Sequence, residues 1–231
     1  GGGVPGADQK NESESFDGSS WTEGNNLNTN RTALGGGGLQ TSAIAFGGYN
    51  PGGTVQGVTE EYDGSCWSEG DNLNVGRTFI ASGGTQTAAI GAGGYAPGYS
   101  VKTETYNGSS WTEVTGVPTG VQGPGGNGSV TAAIIYSGKT APTTVVTTSY
   151  TYNGTAWTEG ATINTAVAMM GSAGPQTGNT AALKISGDTE PGKTVNTELY
   201  DGSTWTEVGN VANSRRSYGA AGTTASALFF G

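Results

Sequence analysis

Residues 106–113 read Tyr-Asn-Gly-Ser-Ser-Trp-Thr-Glu, and the phrase recurs along the chain. It returns as Phe16-Asp17-Gly18 before Trp21, Tyr62-Asp63-Gly64 before Trp67, Tyr152-Asn153-Gly154 before Trp157 and Tyr200-Asp201-Gly202 before Trp205. A Glu follows each Trp two places on: Glu23, Glu69, Glu113, Glu159 and Glu207. Asp-Gly and Asn-Gly between β-rich runs signal hairpins, and the dipeptide predicts a type I′ turn with positive φ at both central residues. Each unit therefore holds one strand ending at the aromatic and a second strand carrying the Trp.

The tryptophans lie 46, 44, 46 and 48 residues apart. The 21 residues up to Trp21 and the 26 after Trp205 supply one further period, so the broken unit is completed by joining the chain ends. Equal periods of this length predict β-propeller blades. The expected fold is all-β: a single five-bladed propeller over residues 1–231, of four-stranded antiparallel blades. One blade is split between 1–24 and 216–231 and closed by pairing of the terminal strands.

Outward from the Trp, Arg31, Arg77 and Arg215 occupy the tenth place after it, with Val121 and Val167 in the same column. The expectation is that these arginines pair with the Glu that follows each Trp and pin the connecting loop. A column of very small residues comes next: Gly35-Gly36-Gly37, Ala81-Ser82-Gly83, Gly125-Gly126-Asn127, Gly171-Ser172-Ala173 and Gly219-Ala220-Ala221. Glycine in a strand marks close approach of another backbone, so this is the strand nearest the axis. An apolar strand follows, through Ile44, Ile90, Ile134, Leu183 and Leu228. Gly-Gly or Gly and a loop with Pro51, Pro97, Pro142, Pro191 or Pro5 complete the unit. We call the strands a (small), b (apolar), c (ending in Tyr) and d (Trp).

The order Gly47-Gly48, Tyr62, Trp67, Arg77, Gly93-Gly94 resembles the kelch-type repeat, and the likeness runs through the whole chain. Units three and four depart from it, lacking the Arg and the second Gly. The wording Gly-Ser-Ser-Trp-Thr-Glu … Thr-Gln-Thr-Ala-Ala-Ile … Gly-Gly-Tyr also resembles repeats of virion and tail-associated proteins of marine phages. That resemblance implies a non-enzymatic virion or extracellular protein whose partners are other virion proteins or host-surface glycans. A secreted or cell-surface lectin and a protein–protein scaffold, the usual use of kelch rings, are the alternatives.

Composition narrows these classes. Net charge is −9 and no basic cluster exceeds Arg215-Arg216, so the footprint that phosphate backbones require is missing. No apolar run is long enough for a membrane-spanning helix. The start at Gly1-Gly2-Gly3 reads as the interior of a longer or processed polypeptide. With no His and one Cys, His-based triads and His- or Cys-rich zinc sites are excluded; no enzyme, cofactor or metal site is expected.

Ligand-binding residues are sought in the b–c and d–a loops, which emerge on one face of a propeller. The candidates are Tyr49, Asn50, Tyr95 and Tyr99 in b–c loops and Asn26 and Asn72 in d–a loops. Tyr and Asn can stack on and hydrogen-bond to sugar rings; the plain alternative is that they are solvated connectors. Trp21, Trp67, Trp111, Trp157 and Trp205 are read as blade packing. Near-equal repeats predict several similar weak sites acting by avidity.

Overall fold

A computed structural model gives the structure of residues 10–216 and 219–230. Pro5 lies outside the described residues. Every regular element is a β-strand. A hairpin of β1 (Glu14–Phe16) and β2 (Trp21–Glu23) comes first. Sheet 1 holds β3 (Gly35–Leu39), β4 (Ser42–Phe46), β5 (Thr59–Tyr62) and β6 (Trp67–Glu69). Sheet 2 holds β7 (Ala81–Thr85), β8 (Ala88–Ala92), β9 (Thr103–Tyr106) and β10 (Trp111–Val114).

Sheet 3 is built from β11 (Gly125–Ser129), β12 (Ala132–Tyr136), β15 (Ser149–Tyr152) and β16 (Trp157–Glu159). Between its middle strands a small hairpin, β13 (Lys139–Ala141) and β14 (Thr144–Val145), projects. Sheet 4 holds β17 (Gly171–Ala173), β18 (Ala182–Asp188), β19 (Lys193–Tyr200) and β20 (Trp205–Val208). A last hairpin pairs β21 (Gly219–Gly222) with β22 (Ala227–Phe230). The four sheets are antiparallel meanders in the expected a-b-c-d order. The described strands form no closed sheet: β1–β2 and β21–β22 are separate two-stranded pairs.

The small-residue strands are innermost, with β3 beside β7, β7 beside β11, β11 beside β17 and β17 beside β21. Their spacing explains their composition. A Cβ on Gly83 would sit 2.6 Å from the Gly128 carbonyl oxygen, and one on Gly37 2.9 Å from that of Gly84. Serine hydroxyls link neighbouring inner strands, accepting from the Gly36 and Gly126 amides at 3.0 and 3.1 Å (Ser82 and Ser172).

Apolar cores lie between successive sheets. Ile44 and Phe46 of sheet 1 meet Tyr106 and Trp111 of sheet 2; Ile134 and Tyr136 of sheet 3 meet Tyr200 and Trp205 of sheet 4. Trp111, Trp157 and Trp205 are buried, whereas Trp67 is half-buried and Trp21 is 43% exposed. Each Trp packs on the aromatic across its hairpin at 4.9–5.1 Å.

Two sequence expectations are corrected. The Asp-Gly hairpin is real, but its turn is not type I′, because among the two residues only the glycine has positive φ (Gly64, 93°). Four residues separate the strands, and Asp63 Oδ1 accepts from the Ser65 and Cys66 amides at 2.8 Å, with Asp17 and Asp201 alike. Asn107 and Asn153 do the same with a neutral oxygen.

Arg31 and Arg77 do not ion-pair with the Glu after Trp, whose five copies are exposed. Arg31 pairs with Glu60 (2.9 Å) and Arg77 with Glu104 (3.1 Å), all four side chains 0% exposed. These acids stand on strand c, in the middle of the sheet that the loop enters. Glu104 also accepts from the Asn74 amide (2.7 Å) and Nδ2 (2.9 Å), while Asn74 Nδ2 donates to the Trp111 carbonyl (2.9 Å).

In sheet 4 the Arg column holds Val167, and the cation comes instead from the adjacent strand: Lys184 lies 3.2 Å from Glu198. In sheet 3 the whole set changes together, to Pro118, Val121 and Tyr150, with Tyr150 OH 3.1 Å from Thr119 Oγ1. Burial pulls Arg31, Arg77 and Lys184 down from their ordinary pKa values, and the facing glutamates oppose that shift. A charge left alone at such a position is far costlier than either complete set.

Candidate ligand-binding face

The face is built where strand b turns back over the d–a loops. After β4, Gly47 and Gly48 take φ of 70° and 102°, and only glycine fits there because a Cβ would meet the Arg77 carbonyl at 2.4 Å and that of Thr32 at 2.7 Å. The chain thereby presents one residue per sheet at an equivalent backbone site, each bridged to a d–a loop. Tyr49 bridges Thr32, Tyr95 bridges Thr78, Lys139 bridges Gln122 and Asp188 bridges Ala168.

Inside this rim the d–a loops are linked to one another. Phe79 donates its amide to the Ala33 carbonyl (2.9 Å), Gly123 to Phe79 (3.1 Å) and Met169 to Gly123 (2.7 Å). All four residues are left-handed, with φ of 55°, 53°, 61° and 52° in chain order. Three of them are not glycine, a conformation that costs about 1–3 kcal/mol each unless the surroundings impose it.

The rim column splits into two halves of different chemistry. On sheets 1 and 2, Tyr49 lies against Phe79 with ring centroids 5.9 Å apart, and Tyr95 against Tyr99 at 5.9 Å, both edge to face. The Thr78–Tyr95 bridge sets Phe79, which touches Tyr49, next to the backbone partner of Tyr95, and burial raises the Tyr49 phenol's pKa with Tyr95 adding to the shift. All four rings are half-buried. On sheets 3 and 4, Lys139 pairs with Glu190 and lies 3.8 Å from Asp188, which also meets Arg216 at 3.0 Å.

The structure therefore brings Tyr49, Tyr95 and Tyr99 together and adds Phe79, which sequence reading missed. Its column otherwise holds Ala33, Gly123 and Met169, so no repeated residue type marks it. The asparagines do other work. Asn50 Oδ1 accepts from the Thr54 amide (2.9 Å) and closes its own loop. Asn72 Oδ1 accepts from the Thr59 amide (3.1 Å) and holds the start of β5. Asn26 is exposed, and among the described residues no hydrogen bond or ring contact joins it or Asn72 to the tyrosines. The rim differs from sheet to sheet, reading Tyr49, Tyr95, Lys139 and Asp188.

The opposite end is crossed by the connection between β17 and β18. Gln176 Oε1 accepts from the Gly84 amide of sheet 2 (2.9 Å), and Asn127 Nδ2 donates to the Pro175 (3.2 Å) and Ala181 (3.1 Å) carbonyls. Among the described residues, no group of three His, Cys, Asp or Glu side chains is placed to hold a metal ion. No helix there is long and apolar enough to cross a membrane.

Four meandering sheets arranged around small-residue inner strands define a β-propeller-like all-β fold. The chain is similar to the solved structure of YjhT, with a TM-score of 0.75 over 99% of this chain and 90% of that one, at 13% identity. At that identity the likeness concerns fold alone. No protein-family model matches the chain, and no curated protein matches it.

Proposed function

We propose that the protein is a non-enzymatic, virion-associated propeller that binds host-surface glycans through the face formed by its b–c and d–a loops. The observation that carries this reading is the rim column. Four positions share one backbone arrangement, yet two of them hold tyrosines kept half-exposed beside further aromatic rings. Packing alone requires no such divergence, and flat rings with a hydroxyl suit the apolar faces and polar edges of sugars. A glycan array probed with the purified protein tests the reading: binding to at least one sugar class is expected, and silence across all classes contradicts it. Immunogold labelling of particles from the source sample tests the virion assignment, which fails if particles stay unlabelled.

We further propose that the fold is a closed ring of five blades, the fifth assembled from the two terminal hairpins. The C-terminal pair supplies strands a and b beside β17, where Gly174 donates to the Gly222 carbonyl (3.2 Å). The N-terminal pair supplies c and d against sheet 1, through Asn25 Nδ2 to Ser65 O (2.6 Å) and Trp67 Nε1 to Ser13 Oγ (3.5 Å). The halves touch at Trp21 and Phe230, 5.2 Å apart.

One buried hydroxyl offers a test of closure. Trp111 and Trp157 each donate Nε1–H to a strand-c threonine of the preceding sheet, Thr59 (3.0 Å) and Thr103 (3.2 Å). The equivalent Thr197 Oγ1 is buried without a partner, and its counterpart donor by repeat position is Trp21.

A further inference from the structure

We infer that the face carries one sugar subsite rather than one per blade: Tyr49, Phe79, Tyr95 and Tyr99, at the junction of sheets 1 and 2, hold a single uncharged pyranose residue. The inference rests on the glycan reading above and specifies its site, stoichiometry and ligand charge. Two edge-to-face ring pairs, each with centroids 5.9 Å apart, give adjoining aromatic surfaces inclined to one another. Such a corner offers one ring face for the apolar side of a pyranose and the Tyr49 and Tyr95 hydroxyls for its edge. Aromatic side chains provide rigid contact area at little entropic cost, which suits a shallow site.

Ligand charge follows from what surrounds the corner. No Lys, Arg, Asp or Glu is present among the four residues or in the loop segments 47–53 and 93–100 that carry the tyrosines, and Arg77, two residues before Phe79, is buried and paired with Glu104. The rim positions on sheets 3 and 4 are charged, but those charges are committed to one another: Lys139 to Glu190 and Asp188, and Arg216 to Asp188. Docking a sugar there would mean breaking partly buried ion pairs, so these two junctions do not repeat the subsite. Access is one-sided as well, because the connection carrying Gln176 covers the other end of the inner strands and bonds to Gly84 there.

Isothermal titration calorimetry with neutral glucose, galactose and mannose oligosaccharides, and with uronic-acid oligosaccharides of matching length, tests this. At least one neutral series should saturate at one sugar chain per protein and bind more tightly than its acidic counterpart. Tyr95→Ala and, separately, Tyr99→Ala should weaken it at least tenfold while circular dichroism stays native. Leu39→Ser, at a hairpin turn of the other end, should leave it unchanged. Saturation near four or five, or a preference for the acidic series, overturns the inference. So does native affinity in both tyrosine variants, which moves the subsite elsewhere while leaving the glycan reading standing. If neither series binds, the subsite inference is overturned, and the glycan array decides whether the glycan reading falls with it.

Discussion

Replacing Arg77 with Val tests whether the loop between β6 and β7 is held by its buried charge set. The side chain is 0% exposed, 3.1 Å from Glu104, and donates Nη1–H to the Gly93 and Lys102 carbonyls at 2.8 and 2.7 Å. Its removal strands the Glu104 carboxylate with only the Asn74 and Val75 groups to solvate it. Breaking a buried pair from one side costs about 3–5 kcal/mol. For a chain of this size that lowers the thermal midpoint by about 6–20 °C, at roughly 2–4 °C per kcal/mol.

Sheet 3 supplies the rescue, because Pro118, Thr119, Val121 and Tyr150 fill the same columns without charge. Transplanting that set into sheet 2 as Asn74→Pro, Val75→Thr, Arg77→Val and Glu104→Tyr should recover most of the loss. Thermal unfolding followed by circular dichroism measures all three proteins. The reasoning is refuted if Arg77→Val melts with the wild type, or if the fourfold variant is no more stable than Arg77→Val alone.

Other consequences follow from the same geometry. Gly83→Ala puts a methyl group 2.6 Å from the Gly128 oxygen and should cost about 1–3 kcal/mol in chemical denaturation. Gly178→Ala, with nothing within 4 Å of its Cβ, should sit near wild type. The amides of the following residues hold the turn carboxylates Asp17, Asp63 and Asp201 below their ordinary range. A lowered carboxylate stabilises the fold above its unfolded pKa, about 3.9, and that contribution fades as pH drops through the folded value. The triple Asp→Asn variant should therefore lose less stability than wild type between about pH 4 and pH 2, with Asn107 and Asn153 showing that amides close the same turn. Removing the hydroxyl that awaits Trp21, as Thr197→Val, should be neutral or stabilising if that oxygen stays unpaired, and should cost about 0.5–1.5 kcal/mol if closure supplies the indole donor.

Strand order was legible because the pattern repeats in kind: small residues where inner backbones meet, apolar ones beside them, Tyr and Trp across a hairpin. The acid partners of Arg31 and Arg77 were not. Glu60 and Glu104 lie 29 and 27 residues further on, past two strands and a loop, while the exposed Glu after Trp repeats more regularly. Regularity along the sequence marked an exposed column; the buried acid column was masked by its change to Tyr150, and its cation by Val167 in the Arg column with Lys184 supplying the charge from strand b. The tyrosine corner was half readable: Tyr49, Tyr95 and Tyr99 stand out in Gly-Pro loops, but Phe79 reaches them only through a left-handed backbone that composition does not reveal. The turn type was misread because an Asp side chain, rather than a second positive φ, closes the loop.

Ring closure is tested most directly by a cysteine pair across the terminal strands. By repeat position Leu228 and Ser15 correspond to Ile44 and Glu61, which face each other between β4 and β5. In a Cys66→Ser background, Ser15→Cys with Leu228→Cys should oxidise to an intramolecular disulfide in the native monomer, since directly opposed strand residues lie within disulfide reach. Mass spectrometry of the digested protein would show the linked peptides and native elution an unchanged size. Thiols that stay free under native oxidation, or that cross-link only between chains, would contradict a five-bladed closed ring.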